Sequence, residues 1–218
     1  MTLLWFFLFF PVALLILYFF WLKKKEKSFL ARGMNLSLFS VVLPQRIEKE
    51  KEIVLEEYLK SAEQFYSSLM SIKEPNKIKQ LLFGNPFFVF EIAVHRTGEE
   101  IYFYVACPRS SSQLMEKQIL GFWPKSQVTA IEDYNIFNPV GQSVGAAAIL
   151  AKPSVFPLKP YQEFTVDPLS SITSVFTKLA KEGEGAAFQI LIRPSEKSLK
   201  KLAEKIVRFL LEGQKTEH

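Results

Sequence analysis

Two apolar segments joined by a short polar turn constrain the fold of this chain most. Phe87–Arg96 and Ile101–Cys107 are rich in aromatic and β-branched residues, and the turn between them, Thr97–Glu100, contains a glycine. This pattern predicts a β-hairpin. Because an isolated hairpin is only marginally stable, we expect the flanking segments to supply further strands and helices that pack on it.

The flanking segments alternate between strand and helix periodicity. The predicted order is β-α-β-β-α-β, followed by β-α-β-α. The further strands are Met34–Leu43, Val128–Ile131, Ala146–Lys152 and Ala186–Ile192; the helices are Ile47–Ile72, Ser110–Phe122, one opened by Asp167 and Pro168, and one capped by Ser195. The first six elements match the ferredoxin-like split βαβ arrangement. The predicted fold class is therefore α+β, with one N-terminal transmembrane helix before ferredoxin-like modules.

An uncharged run of twenty residues, Leu3–Leu22, predicts that transmembrane anchor. A helix of this length rises about 30 Å, which is the thickness of a bilayer core. The residues assigned to the anchor are Leu3, Trp5, Tyr18, Trp21 and Leu22. A cleaved signal peptide is the alternative, but it would have a basic start and a small-residue cleavage site, and the run has neither.

Positive charge follows the apolar run and predicts its orientation. Between residues 23 and 52 there are eight Lys or Arg and four Glu, whereas residues 53–218 carry 19 basic and 18 acidic residues. Lys23, Lys24, Lys25 and Lys27 would face anionic lipid headgroups. The prediction is a single-pass protein of the inner membrane, with its N-terminus outside and its domain in the cytoplasm.

These patterns divide the chain into five predicted regions. They are a transmembrane anchor at 1–23, a basic linker at 24–33, a ferredoxin-like α+β domain at 34–152, a second βα half-module packed on the first at 153–212, and a polar tail at 213–218.

Motifs for catalysis are absent from the sequence. The glycines Gly183 and Gly185 follow a predicted helix and precede a strand, which is the reverse of a phosphate-binding loop. One cysteine and two histidines, one of them terminal, make a zinc site improbable. A nucleophile pair of Cys107 and His95 is conceivable, but a buried cysteine at a strand end is the simpler interpretation. We expect no cofactor, no metal and no enzymatic activity.

Six residues are candidates for contact with a partner: Arg109, Trp123, Glu132, Asp133, Tyr134 and Arg193. The two arginines follow predicted strands, and the other residues lie in or near loops, where binding residues concentrate. The alternative for the acidic pair is a loop in which the carboxylates cap neighbouring backbone amides.

Four phrases together resemble a known family: FEIAVHRTGEEIYFYVACPR, EKQILGFWPKSQV, EDYNIFNP and GAAFQILIRP. They resemble the membrane-anchored N-terminal region of HerA/FtsK-superfamily conjugation (type IV secretion) ATPases of small-genome bacteria, over roughly residues 87–194. The 218 residues contain no Walker A or Walker B motif, so no ATP-binding residue carries over. The resemblance implies a module that docks a P-loop ATPase or a secretion-channel subunit at the membrane.

Three functions stay open on the sequence alone. The first is a non-catalytic assembly module of a type IV secretion or conjugative DNA-translocation machine. The second is a small membrane-tethered enzyme that uses the Cys107–Arg109 or Glu132–Pro139 region. The third is a scaffold that binds lipid or another partner, with a homo-oligomer as a further alternative. The nearly balanced charge of residues 53–218 argues against direct nucleic-acid binding.

Overall fold

A computed structural model of the chain describes residues 15–23, 31–44, 51–95, 100–156, 158–160, 163–179, 183–195 and 197–212. Five strands in these ranges form one antiparallel sheet: β1 (Leu36–Val42), β2 (Phe88–Val94), β3 (Ile101–Pro108), β4 (Gln127–Ile131) and β5 (Ala186–Ile192). Their spatial order is β4-β1-β3-β2-β5. The first four strands have the order of a split βαβ unit, and β5 extends the sheet beyond β2.

Five α-helices follow β1 in the described ranges: α1 (Lys51–Leu69), α2 (Lys77–Phe83), α3 (Ser112–Phe122), α4 (Pro168–Phe176) and α5 (Lys197–Leu211). Local capping sets several of their ends. The side chain of Asn76 accepts hydrogen bonds from the backbone amides of Ile78 and Lys79, and α2 ends at Gly84, whose φ of 73° suits glycine. Asp167 caps α4 in the same way, as its sequence predicts.

One face of the sheet, here called the helix face, carries the core. Side chains alternate along each strand, so Phe39 on β1 and Phe90 on β2 both lie beside Val105 on β3. Helices α1 and α3 cover this face with Phe65 and Met115, which are both buried. The remaining buried members of the cluster are Leu69, Phe88, Cys107 and Ile119.

The opposite face, here called the cleft face, has a different composition. One row of side chains across the sheet is apolar: Ile131, Leu38, Ala106, Val89 and Leu191. The next row is polar or aromatic: Thr129, Ser40, Tyr104, Glu91 and Gln189. The sheet therefore separates a packed apolar face from a face of mixed chemistry.

The strand predicted at Ala146–Lys152 does not form. Residues 142–150 have no regular structure, and the region after β4 therefore supplies α4, β5 and α5 in place of the predicted βαβα order. The sequence prediction also lacked α2. The sequence contained a signal for this helix, because Asn76 before the apolar run and Gly84 after it are typical helix-capping residues.

The structure contradicts the predicted transmembrane helix. Among the described residues, no helix is long and apolar enough to cross a membrane. The described residues include one helical segment of the predicted anchor, at positions 15–23. It contains Tyr18, Trp21, Leu22 and Lys23, and the rings of Tyr18 and Trp21 stack at 6.1 Å. The location in the inner membrane, which rested on this helix, is corrected with it.

Several residues assigned to the anchor and the lipid surface lie outside the described residues. They are Leu3, Trp5, Lys24, Lys25 and Lys27. Residues 97–99 of the predicted hairpin turn Thr97–Glu100, and the polar tail, residues 213–218, lie outside them as well.

Candidate functional site

The segment after β4, residues 132–138, folds back over the cleft face and is called the strap here. It leaves the sheet after Ile131, which pairs with Leu38 near one end of β1. It reaches the beginning of β5, where a Cβ atom built on Gly185 would lie 2.7 Å from the carbonyl oxygen of Ile136. Such close packing of two backbones requires glycine at position 185. The strap therefore crosses the sheet from the β4 edge to the β5 edge.

Glu91 joins the strap to the middle of the sheet. Its Oε1 accepts a hydrogen bond from the hydroxyl of Tyr134 on the strap and another, at 3.0 Å, from Nε2 of Gln189 on β5. The glutamate is only 8% exposed. A buried carboxylate costs free energy unless it is hydrogen-bonded, so these two donors are what make its position tolerable.

Four aromatic rings stack beside this carboxylate. Tyr134 stacks on Tyr104 at 4.8 Å and on His95 at 4.6 Å, and His95 stacks on Tyr102 at 4.8 Å. Nε2 of His95 also lies 2.7 Å from the Tyr104 hydroxyl. The stack fixes the strap on the sheet through both ring contact and hydrogen bonding.

Burial shifts the acidity of the two central tyrosines. Burial, with smaller contributions from the nearby Tyr102 and Glu91, raises the pKa of Tyr104 to about 12. Burial also raises the pKa of Tyr134, and its hydrogen bond to the Glu91 carboxylate adds to this. Both hydroxyls therefore stay protonated at neutral pH and are able to donate.

A cleft of about 1060 Å³ lies between the strap and the sheet. Its floor consists of the apolar row and Leu36. The polar side chains of Glu91 and Gln189 lie in the same floor. The strap supplies one wall. Three of the lining side chains are large, apolar and exposed: Met34, Phe137 and Leu191, at 86%, 59% and 61%. The cleft can therefore hold an apolar group of substantial size.

Four of the six predicted partner-binding residues line this one cleft: Arg109, Glu132, Asp133 and Tyr134. Arg109 follows the end of β3 and Glu132 follows the end of β4. Both strands are antiparallel to β1, which lies between them, so the two residues leave the same end of the sheet. The Asp133 carboxylate also accepts a hydrogen bond from the amide of Tyr134 at 3.0 Å, which is the capping role expected of a loop acid.

The other two candidates lie elsewhere. The ring of Trp123 packs against Phe65 at 5.2 Å on the helix-face side, and it lines a smaller cleft of about 330 Å³. Arg193 lies at the end of α2, where its guanidinium would be 3.3 Å from a Cβ atom on Gly84. Neither residue contributes to the large cleft.

The structure does not bring Cys107 and His95 together. Cys107 is fully buried in the helix-face core near the end of β3. His95 lies at the opposite end of the hairpin and contacts Tyr104 on the cleft face. Burial also raises the pKa of the Cys107 thiol to about 12, so it is protonated and unreactive at neutral pH.

Sequence reasoning missed the centre of the site, Glu91 with Gln189. A signal was present, because Glu91 is the one charged residue in the apolar strand sequence FVFEIAV. An acid in the middle of such a strand is expected to be either exposed or specifically hydrogen-bonded. The partner Gln189, 98 positions away, could not be inferred without the pairing of β2 with β5.

A family model matches most of the chain. The model is described as Domain of unknown function (DUF8128), and it matches residues 50–209. The chain belongs to the DUF8128 family. The DUF8128 match contains four of the five strands and the whole strap, whereas β1, which lies between β3 and β4, precedes it.

No curated protein and no solved structure matches the chain. The description of DUF8128 names no activity, so the resemblance to HerA/FtsK-superfamily ATPases stays a prediction. Nothing in these comparisons supports a part in type IV secretion, conjugation or DNA translocation, and those assignments are set aside.

Proposed function

We propose that this DUF8128 member is a docking module whose cleft binds an apolar segment of a partner protein. The observation that carries the proposal is the apolar floor of the cleft. Leu191 in the floor and Phe137 in the strap are more than half exposed, although both line the cleft. Exposed apolar surface gathered in a cleft is a common mark of a binding site.

The polar groups of the cleft would orient the bound segment. Glu91 lies in the floor, while Arg109 and Glu132 lie where two strands leave the sheet. A peptide backbone offers both donors and acceptors, so a cleft with carboxylates and a guanidinium can satisfy both. An apolar floor with a few placed polar groups is the usual composition of such sites.

The charges of the cleft favour protein over nucleic acid as the partner. Three carboxylates, those of Glu91, Glu132 and Asp133, line it together with one arginine. A phosphate backbone would be repelled by this set, since nucleic-acid affinity depends on neutralising phosphates with basic residues. A P-loop ATPase, the partner that the sequence resemblance implies, is the first protein to test.

The proposal assigns no chemical step to the chain itself. Cys107 is buried away from the cleft, and its thiol is protonated at neutral pH. Within the described ranges, no group of three or more His, Cys, Asp or Glu side chains could hold a metal ion. Binding through the cleft accounts for the arrangement without a reaction.

The test is selection of peptides from a random display library on the purified chain, followed by calorimetry with the selected peptides. We expect apolar peptides to be enriched. The double variant Met34→Glu and Phe137→Asp should weaken their binding by tenfold or more, on the order of 1.4 kcal/mol, because both side chains line the cleft.

Matched controls are Met70→Glu and Phe103→Asp. Both residues are exposed, at 42% and 55%, and neither lines the cleft. Their double variant should bind the peptides as the parent chain does. Equal weakening by both double variants, or selection of peptides whose binding ignores the cleft substitutions, would refute the proposed function.

A further inference from the structure

An uncharged, exposed segment follows the strap. Residues 143–150, with the sequence SVGAAAIL, have no regular structure. Val144 is fully exposed and Ile149 is 90% exposed. The sequence predicts a strand over the overlapping residues Ala146–Lys152, yet within the described parts of the chain these residues join no strand of the sheet. A sequence that favours a strand but has no sheet partner in its own chain can obtain that partner from another chain.

The outer edge of β5 offers such a partner. Its seven residues, AAFQILI, contain no charge and no proline, which are the common protections of exposed sheet edges. In the part of the chain that the structure describes, β5 pairs on one side only, with β2. Ile190 and Leu191 are 47% and 61% exposed. The other edge strand, β4, is shorter and has five residues.

The exposed segment leaves the domain close to this edge. Asn138, at the end of the strap, donates a hydrogen bond from its Nδ2 atom to the carbonyl oxygen of Gly183 at 3.4 Å. Gly183 lies three residues before β5 begins. Residues 139–141 turn back on Asn138, whose carbonyl oxygen accepts a hydrogen bond from the Gly141 amide at 3.1 Å. The three residues from Gln142 to Val144 then span up to about 10 Å when extended. The segment of one copy can therefore reach a second copy that approaches edge to edge.

We propose that residues 145–151 of one copy add as a strand to the outer edge of β5 in a second copy, and that the exchange is reciprocal. The donor segment 145–151 and the acceptor strand β5 each have seven residues. Neither contains a charged residue, so no like-charge repulsion opposes the pairing. Because the donor segment and the acceptor edge belong to the same chain, two copies related by a two-fold axis satisfy both and close the assembly. The proposal concerns the edge of the sheet and does not depend on what the cleft binds.

The experiment combines light scattering of the full chain with amide hydrogen exchange over a dilution series. We expect a monomer–dimer equilibrium in which the amides of residues 145–151 become protected as dimer forms. Ala147→Pro removes a backbone donor from the segment, and Ile190→Lys places a charge on the acceptor strand. Each should weaken dimerisation by about tenfold or more.

Two comparisons keep the test specific. Ile78→Lys changes an apolar residue that is 69% exposed and lies on α2, so it should leave the dimer intact. The cleft variant Met34→Glu with Phe137→Asp should also dimerise normally, which separates this proposal from the proposed function.

Three results would overturn the proposal. One is a monomer at every concentration. Another is a dimer that survives Ala147→Pro with the segment unprotected. The last is protection of the segment that does not change on dilution, because that would indicate pairing within one chain.

Discussion

The hydroxyl of Tyr134 donates a hydrogen bond to the Glu91 carboxylate across 43 residues of sequence. This contact holds the strap on the cleft face and satisfies the carboxylate of Glu91, a residue that is only 8% exposed. The wall of the cleft therefore depends on one tyrosine and one glutamate that sequence proximity does not bring together.

We expect Tyr134→Phe to lower the free energy of unfolding by about 1–3 kcal/mol, because it leaves a buried carboxylate with one donor fewer. Urea unfolding followed by circular dichroism measures the change. Tyr102→Phe is the matched control. It removes a hydroxyl that bonds Glu100 at the surface, and its effect should stay within about 0.5 kcal/mol. Equal effects of the two substitutions would contradict the role given to Glu91.

The strap should also be sensitive to the size of residue 185. Gly185→Ala places a Cβ atom 2.7 Å from the Ile136 carbonyl oxygen, and the backbone of the strap must then move. We expect a loss of about 1–3 kcal/mol in the free energy of unfolding. In contrast, Gly121→Ala on α3 meets no atom within 4 Å, and it should stabilise the chain by about 0.5–1 kcal/mol because alanine favours a helix. Opposite signs in the two variants are the expected result.

Alkaline pH should destabilise the fold through Tyr104. Its pKa is raised from 10.0 to about 12, so the folded state holds the proton more tightly than the unfolded state does. This contribution is complete below pH 10 and is lost as the pH rises through about 12.

Between about pH 9 and about pH 11.5 the parent chain should lose about 1–2 kcal/mol more stability than Tyr104→Phe does. Urea midpoints at the two pH values measure this difference. A Tyr104→Phe variant that lost stability as steeply as the parent would show that another group titrates.

The Cys107 thiol should be inert in the folded chain. Its pKa is raised from 9.0 to about 12 by burial, so at about pH 8 the thiolate is about a thousandfold rarer than at an ordinary cysteine. A chromogenic disulfide reagent should find no reactive thiol in the native state and one per chain in urea, since Cys107 is the single cysteine. Rapid labelling of the native chain would reopen the alternative of an enzyme that uses Cys107.

Local sequence patterns predicted all five strands of the sheet, including its two edge strands, but they also predicted one strand that does not form. Alternation identified the hairpin of β2 and β3, and Asp167 with Pro168 marked the start of α4. Ala146–Lys152 carries the same apolar character, yet it forms no strand. The composition of a segment indicates that it is able to form a strand, but the strand forms only where the fold places a neighbouring strand beside it.

The sequence pointed to residues at the rim of the cleft but not to the pair at its centre. Arg109, Glu132, Asp133 and Tyr134 were recognisable because polar residues at strand ends and in loops commonly bind partners. Glu91 and Gln189 meet only because β5 pairs with β2, and no local pattern encodes that pairing. Trp123 was also a candidate for partner contact, but its ring packs against Phe65. The predicted anchor rested on the apolar composition of residues 3–22, whereas among the described residues no helix is long and apolar enough to cross a membrane.

The alternation of side chains along each strand has one last consequence. Val105 and Tyr104 are adjacent in sequence, but the first packs under α1 and α3 while the second belongs to the polar row above. Alternate residues of the same strands therefore serve the packed core on one face and the cleft on the other. Relatives of this chain could diverge in what they recognise while every second position preserves a common interior.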